Sequence, residues 1–320
     1  MMLSEKEEVK NESQKDTELF ARNEISFSSL LQQIIKFKIS VFFILFVIVS
    51  VSVYISYSLP NVYKSEALLA PVEEQGGMNG LASQFGGLAS FAGLNIDGGS
   101  IDKTSLALEI MNSRAFIFKF IKKYDILIPL MGTKGWDQDN DAFVYDLNKY
   151  DPISKTWVRD VNPPLAAKPS LQEAYIAFKK HLGTSQNKTS SMITISMKSY
   201  SPHIAKEWVE LLIKDINEEM KLRDLKEAQD SLHFLDEQLE QVTISEYKDV
   251  IYQLVEEQTK KMMFANIRKQ YILQTIDPPL IPLMPDGPPR ILIILASLLI
   301  GIVFAVLYVL IKIQLTARRF

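Results

Sequence analysis

Most of this chain alternates apolar and polar residues on short periods, but two stretches do not: residues 39–59 (ISVFFILFVIVSVSVYISYSL) and 291–311 (ILIILASLLIGIVFAVLYVLI) are apolar and free of charge. At about 1.5 Å per residue, about 20 residues cross a hydrocarbon core of about 30 Å, so each run predicts a transmembrane helix. The first has 38 mostly polar, acid-containing residues before it and no A-x-A-like site after it, which argues against a cleaved signal peptide.

Between the runs the pattern changes repeatedly. Residues 62–71 (VYKSEALLAP) read as a short strand. Residues 191–199 set Ile193, Ile195 and Met197 against Met192, Thr194, Ser196 and Lys198, one apolar face of a second strand. Residues 105–124 and 170–182 have helical spacing, each opened by a Ser placed to cap it. After Ser201-Pro202, a natural helix start, the period runs from 203 to about 242, a helix about 60 Å long. On it Leu225, Ala228, Leu232, Leu235, Leu239 and Val242 follow steps of three and four, an a/d stripe that packs either on the chain's own elements or on neighbouring subunits. A further helix over 245–271, about 40 Å, carries Glu256–Lys260 and Glu257–Lys261 as i,i+4 pairs. The sum is an α+β chain with two flanking spans, whose long helices predict a domain extended away from the membrane.

Residues 1–24 are charged and without apolar period, a tail with no fold of its own. Residues 24–37 space Phe27, Leu30, Leu31, Ile34 and Ile35 amphipathically, as a surface-lying helix or an extension of the first span would. The Gly-rich segment 76–99 holds a near-repeat, GLASQFG then GLASFAG, but no Gly-Lys-Ser/Thr follows to make a phosphate loop.

Charge sets the orientation. Lys36 and Lys38 precede the first run while Lys312, Arg318 and Arg319 follow the second, so the positive-inside rule predicts both termini in the cytoplasm. The long middle stretch is then translocated, into the periplasm of a two-membrane bacterium. Residues 60–290 carry 26 Lys or Arg against 31 Asp or Glu, a formal charge of −5, which argues against a nucleic-acid partner. There are no cysteines, hence no disulfide framework or thiolate metal site.

No chemistry-bearing constellation stands out. His181, His203 and His233 are far apart and read as surface residues. Residues 136–141 (WDQDND) open like an EF-hand loop, but Ala142 stands where that loop needs Gly and Asn148 where it needs Glu. Acids on the long helices alternate with Lys and Arg as on a solvated face. We therefore expect neither an enzyme nor a cofactor.

The informative segment precedes the second run. Pro279, Pro282, Pro285 and Pro288 recur every third residue, with Pro278 and Pro289 beside them, the period of a stiff polyproline II strut. Within the run Ser297, Gly301 and Ala305 are four apart, a face that permits close helix approach.

This order of parts resembles the Wzz family of polysaccharide chain-length determinants, or polysaccharide copolymerases: a first span followed by LPNVYKSEALLAP, then GLASQFGGLASFAGL, helices ending in EEQTKKMMFANIRKQY, and DPPLIPLMPDGPPR leading into the second span. The resemblance covers about residues 25–312. It implies an inner-membrane protein with a cytoplasmic segment 1–38, spans at 39–59 and 291–311, and a tail at 312–320. Between the spans it implies a periplasmic domain, residues 60–290, with an α/β base (60–200 and 272–290) and a long helical extension (203–271). It also implies a ring-like homo-oligomer that works with a membrane polymerase on a lipid-linked glycan to set modal length. The second span holds one Gly where the family is often richer. The chain stops eight residues after Lys312, pointing to the short class without a cytoplasmic kinase, which acts on lipopolysaccharide O-antigen or a common antigen. A two-span periplasmic sensor and an export adaptor are the competing readings.

Overall fold

A computed structural model of the chain describes residues 37–72, 103–242 and 245–317. The expectations for residues 1–24, 24–36 and 76–99 lie outside the described residues. The chain divides into two compact units, one containing the two apolar runs and the other spanning Pro60–Pro288.

The first apolar run forms α1 (Lys38–Ser58). In the second unit β1 (Tyr63–Pro71) follows, its odd residues turned inward and its even residues outward. The expected single helix over 105–124 is two, α2 (Lys103–Asn112) and α3 (Arg114–Lys123). Ser113 separates them: its backbone is extended and its hydroxyl accepts from the Phe116 N–H, capping the second helix rather than the first. The start at Lys103 likewise removes Ser105 as a cap.

After the short α4 (Leu127–Met131) come two small antiparallel hairpins, β2 (Thr133–Asp137) with β3 (Ala142–Tyr145) and β4 (Tyr150–Asp151) with β5 (Thr156–Trp157). The EF-hand-like residues span the end of β2 and the first hairpin's turn. The Asp137 carboxylate accepts from the Asp139 N–H and from the side-chain amide of Asn140, bonds that hold it below the usual carboxylate range, the Asn140 amide foremost.

The helix α5 (Leu171–His181) is closed by a capping box between Ser170 and Glu173. Glu173 also meets Arg159 at 2.8 Å, and Arg159 donates to the carbonyls of Ala166 and Ala167, tying the preceding loop to the helix start. The Arg159 guanidinium, and then the Ser170 backbone N–H and hydroxyl, hold the Glu173 carboxyl at about 2 rather than 4.5. A carboxyl lowered on folding stabilises above its unfolded value and loses that contribution as pH falls from about 4.5 towards about 2. Glu173→Gln can still cap but cannot pair with Arg159. It should cost on the order of 1 kcal/mol at neutral pH and remove this part of the acid sensitivity, read by thermal unfolding at stepped pH. Equal acid sensitivity in both proteins would count against the assignment.

Next come β6 (Leu182–Gln186) and β7 (Ile193–Ser199), then α6 (Pro202–Gln241), with Pro202 in its first turn and Ser201 capping Ile204. α7 (Ser245–Ile267) is shorter than the 245–271 expected, because residues from Tyr271 turn towards β8 (Leu273–Asp277). The last element is α8 (Arg290–Ala317).

One antiparallel sheet, ordered β6-β7-β1-β8, organises the second unit. Ala67 pairs with Ile195 and Leu69 with Ile193, so inward residues of neighbouring strands meet on one face. That face and the first half of α6 (Trp208, Val209, Leu212, Ile216, Met220) enclose a core with Phe120 and Phe178. The second half of α6 leaves the core and packs on α7.

Candidate functional site

Three places carry the residues singled out in the sequence, and each is described by itself.

Within the first unit, α1 and α8 pack against each other. The face of α8 that meets α1 is the predicted small-residue face: Gly301 and Ala305 are buried and Ser297 half-buried, with Val309 continuing the spacing. Ser297 spends its hydroxyl on the Ile294 carbonyl. A Cβ on Gly301 would stand 2.9 Å from Leu45 Cδ2 and 3.7 Å from Ile48, so a larger residue here must first displace the end of the Leu45 side chain. On α1 the facing side includes the small buried residues Ser52 and Ser56. The Arg290 guanidinium lies 5.0 Å from the Tyr57 ring, and Lys312 lies 5.9 Å from the Tyr308 ring, a cation on an aromatic at each end of α8. Both helices are long and apolar enough to cross a membrane.

The proline segment belongs to the second unit up to Pro288. It contains no helix or strand; an isolated bridge joins Gly287 to Val62, closed by Val62 N–H to the Gly287 carbonyl at 2.9 Å and Asp286 N–H to the Val62 carbonyl at 2.8 Å. The Leu280 carbonyl accepts from the buried Ser65 hydroxyl. Pro279 is buried, Pro282 and Pro288 are half-buried, and Pro278, Pro285 and Pro289 are exposed. Lys198 on β7 meets Asp286 at 2.7 Å. The segment is thus fastened to β1 and β7 at several points, which supplements whatever stiffness the prolines confer.

The helical stripe is the third place. Leu225, Leu232, Leu235 and Leu239 are half-buried and Ala228 is fully buried. This half of α6 packs on α7, and Lys261 bridges to Glu227 at 3.7 Å, so the stripe has a partner within the chain. What remains uncovered on the helix pair is a different apolar set: Phe234 is 59% exposed, Ile267 71%, with Leu222, Tyr252 and Met263 also open.

Sequence reasoning missed Asn217. Its side-chain amide donates to the Leu273 carbonyl and its carbonyl oxygen accepts from the Ile272 and Leu273 N–H groups, so a buried amide on α6 fixes the chain's return into β8. His181 is half-buried, with Nδ1 3.0 Å from the Lys198 carbonyl, and desolvation lowers its pKa. His203 and His233 are exposed. Among the described residues no group of three or more His, Asp or Glu could hold a metal ion.

The observations define a class: a two-span α+β protein whose large second unit joins a four-stranded sheet to a long helix pair. Residues 23–124 match the family model Wzz, chain length determinant protein. That match covers about a third of the chain and is with the family that the sequence resembles. No curated protein matches the chain. Among solved structures, a full-length bacterial polysaccharide co-polymerase is similar at 11% identity and a TM-score of 0.38, covering 90% of this chain and 97% of its own. A fragment of WzzB, a polysaccharide co-polymerase from Salmonella Typhimurium, is similar at 11% identity and a TM-score of 0.28, covering 71% of this chain and 100% of its own. Likenesses this distant add nothing to the functional argument.

Proposed function

We propose that this protein regulates the length of a lipid-linked polysaccharide, setting the modal length of lipopolysaccharide O-antigen as a non-catalytic oligomeric scaffold that works with the membrane polymerase. It sits in the bacterial inner membrane with both termini cytoplasmic and residues 60–290 in the periplasm. The observation that carries this reading is the family match over residues 23–124, which takes in the first span and β1. The exposed apolar residues left on the α6–α7 pair support the oligomer, since large uncovered apolar surface marks an interaction site. The small-residue face of α8 serves first to join the two spans of one chain, and a polymerase contact falls to the residues it leaves facing lipid.

Deleting the gene should broaden or shift the O-antigen ladder on a lipopolysaccharide gel. An unchanged ladder together with a cytoplasmic signalling partner would favour a sensor. An unchanged ladder together with a lost secreted substrate would favour an export adaptor.

A further inference from the structure

A groove of about 640 Å³ lies between the first half of α6 and the chain returning from α7. Its size falls in the range of small-ligand sites and exceeds what a lone inorganic anion fills. Four cations line it, Lys214 and Lys221 on one wall and Arg268 and Lys269 on the other, against two acids, Glu210 and Glu218. The groove is therefore locally positive by two charges in a domain whose formal charge is −5. Composition alone would have given the opposite sign.

These cations are not consumed by the fold. Lys214, Lys221 and Lys269 make no ion pair with the described residues, whereas Glu210 is met by Lys206 at 3.4 Å on its own helix. Arg268 rests its guanidinium over the Phe264 ring at 5.6 Å. Lys214 and Lys221 are seven residues apart, two helical turns or about 10 Å along one wall, so positive charge repeats along the groove. The walls are held in place beforehand. Asn217 clamps Ile272 and Leu273 to α6, and the Gln270 amide exchanges two hydrogen bonds with Thr275. Preorganisation of this kind lowers the entropy cost of binding. Tyr271 and Asn266 also line the groove, an aromatic and an amide residue of the sort found in sites for sugar rings and hydroxyls.

We propose that this groove binds a short run of an acidic glycan, its carboxylates held by Lys214, Lys221, Arg268 and Lys269. The proposal rests on the chain-length reading for its choice of ligand, yet it can fail while that reading stands. The test is a titration of the full-length protein in nanodiscs with oligogalacturonate, a carboxylated probe, and with a neutral malto-oligosaccharide of equal length, each followed by calorimetry. Oligogalacturonate should bind about tenfold or more tightly than the neutral probe, and less so as salt rises. The double variant Lys214→Gln, Lys269→Gln should lose about tenfold in affinity for oligogalacturonate while unfolding at the wild-type temperature. Equal binding of both probes, no binding of oligogalacturonate, or an affinity unmoved by the double substitution would overturn the proposal. Each of those results leaves the O-antigen ladder of the deletion strain as a separate measurement.

Discussion

Asn217→Ala should destabilise the second unit by about 3 kcal/mol or more, the largest loss expected from any single polar side chain described here. The amide serves three backbone groups outside its own helix, the N–H groups of Ile272 and Leu273 and the carbonyl of Leu273. Asn217 is 5% exposed, so water cannot replace it readily. Each buried backbone group left without a partner costs about 1–3 kcal/mol. The damage reaches further than the local bonds. Leu273 pairs with Pro71 in the sheet, so loosening Asn217 frees the strand that returns the helix pair to the core. Thermal unfolding of the full-length protein in detergent reads the effect. Ser231→Ala, which removes an exposed bond to a carbonyl of its own helix, is the matched control and should stay within about 0.5 kcal/mol of wild type. If Asn217→Ala unfolds with the control, the clamp does not hold β8 as described.

Gly301→Leu should have the second large effect, through the pairing of the spans. Even a Cβ at this position would meet Leu45 Cδ2 at 2.9 Å, and leucine adds three more carbons beyond it. The spans must then separate or rotate, with an overpacking cost of about 1–3 kcal/mol. Insertion itself should persist, because leucine is favoured in a span. The expected outcome is a wild-type amount of the variant in the membrane fraction with a shifted glycan mode. Since the chain has no cysteine, Leu45→Cys combined with Gly301→Cys provides the geometric check. Oxidation should close the bond within one chain. A disulfide-linked dimer would place this face between subunits, and an unshifted mode for Gly301→Leu would separate span packing from length control.

What could be read from the sequence follows physical contrast. The spans stood out because nothing charged interrupts them, and β7 because Ile193, Ile195 and Met197 alternate with polar neighbours and all point into the core. Ser201-Pro202 marked the start of α6 to within a residue. The break at Ser113 was hidden, since the apolar period runs through it and only the cap geometry shows that one helix has become two. The strands β2 to β5 are two to five residues long, too short to display a period, and are organised by carboxylates such as Asp137 and Asp151 binding their own turns.

The site residues divide in the same way. Gly301 was legible because a small residue in a bulky apolar run has few uses. The helical stripe was legible as a stripe, but its partner was not, because only the chain reversal after α6 places α7 against it. Asn217 and the groove were invisible for a related reason. On paper Lys214, Asn217 and Lys221 are polar positions of a solvated helix. Their meaning appears when residues 266–279, about fifty positions later, come back against them.

The central claim is that this chain sets polysaccharide length, and a gain of function tests it most directly. The chain is expressed in a strain that keeps its O-antigen polymerase but has lost its own length determinant, and the lipopolysaccharide is resolved on a gel. The account predicts that an unregulated ladder gives way to a narrow cluster around one length. A ladder left unchanged, with the protein present in the inner membrane, would contradict it.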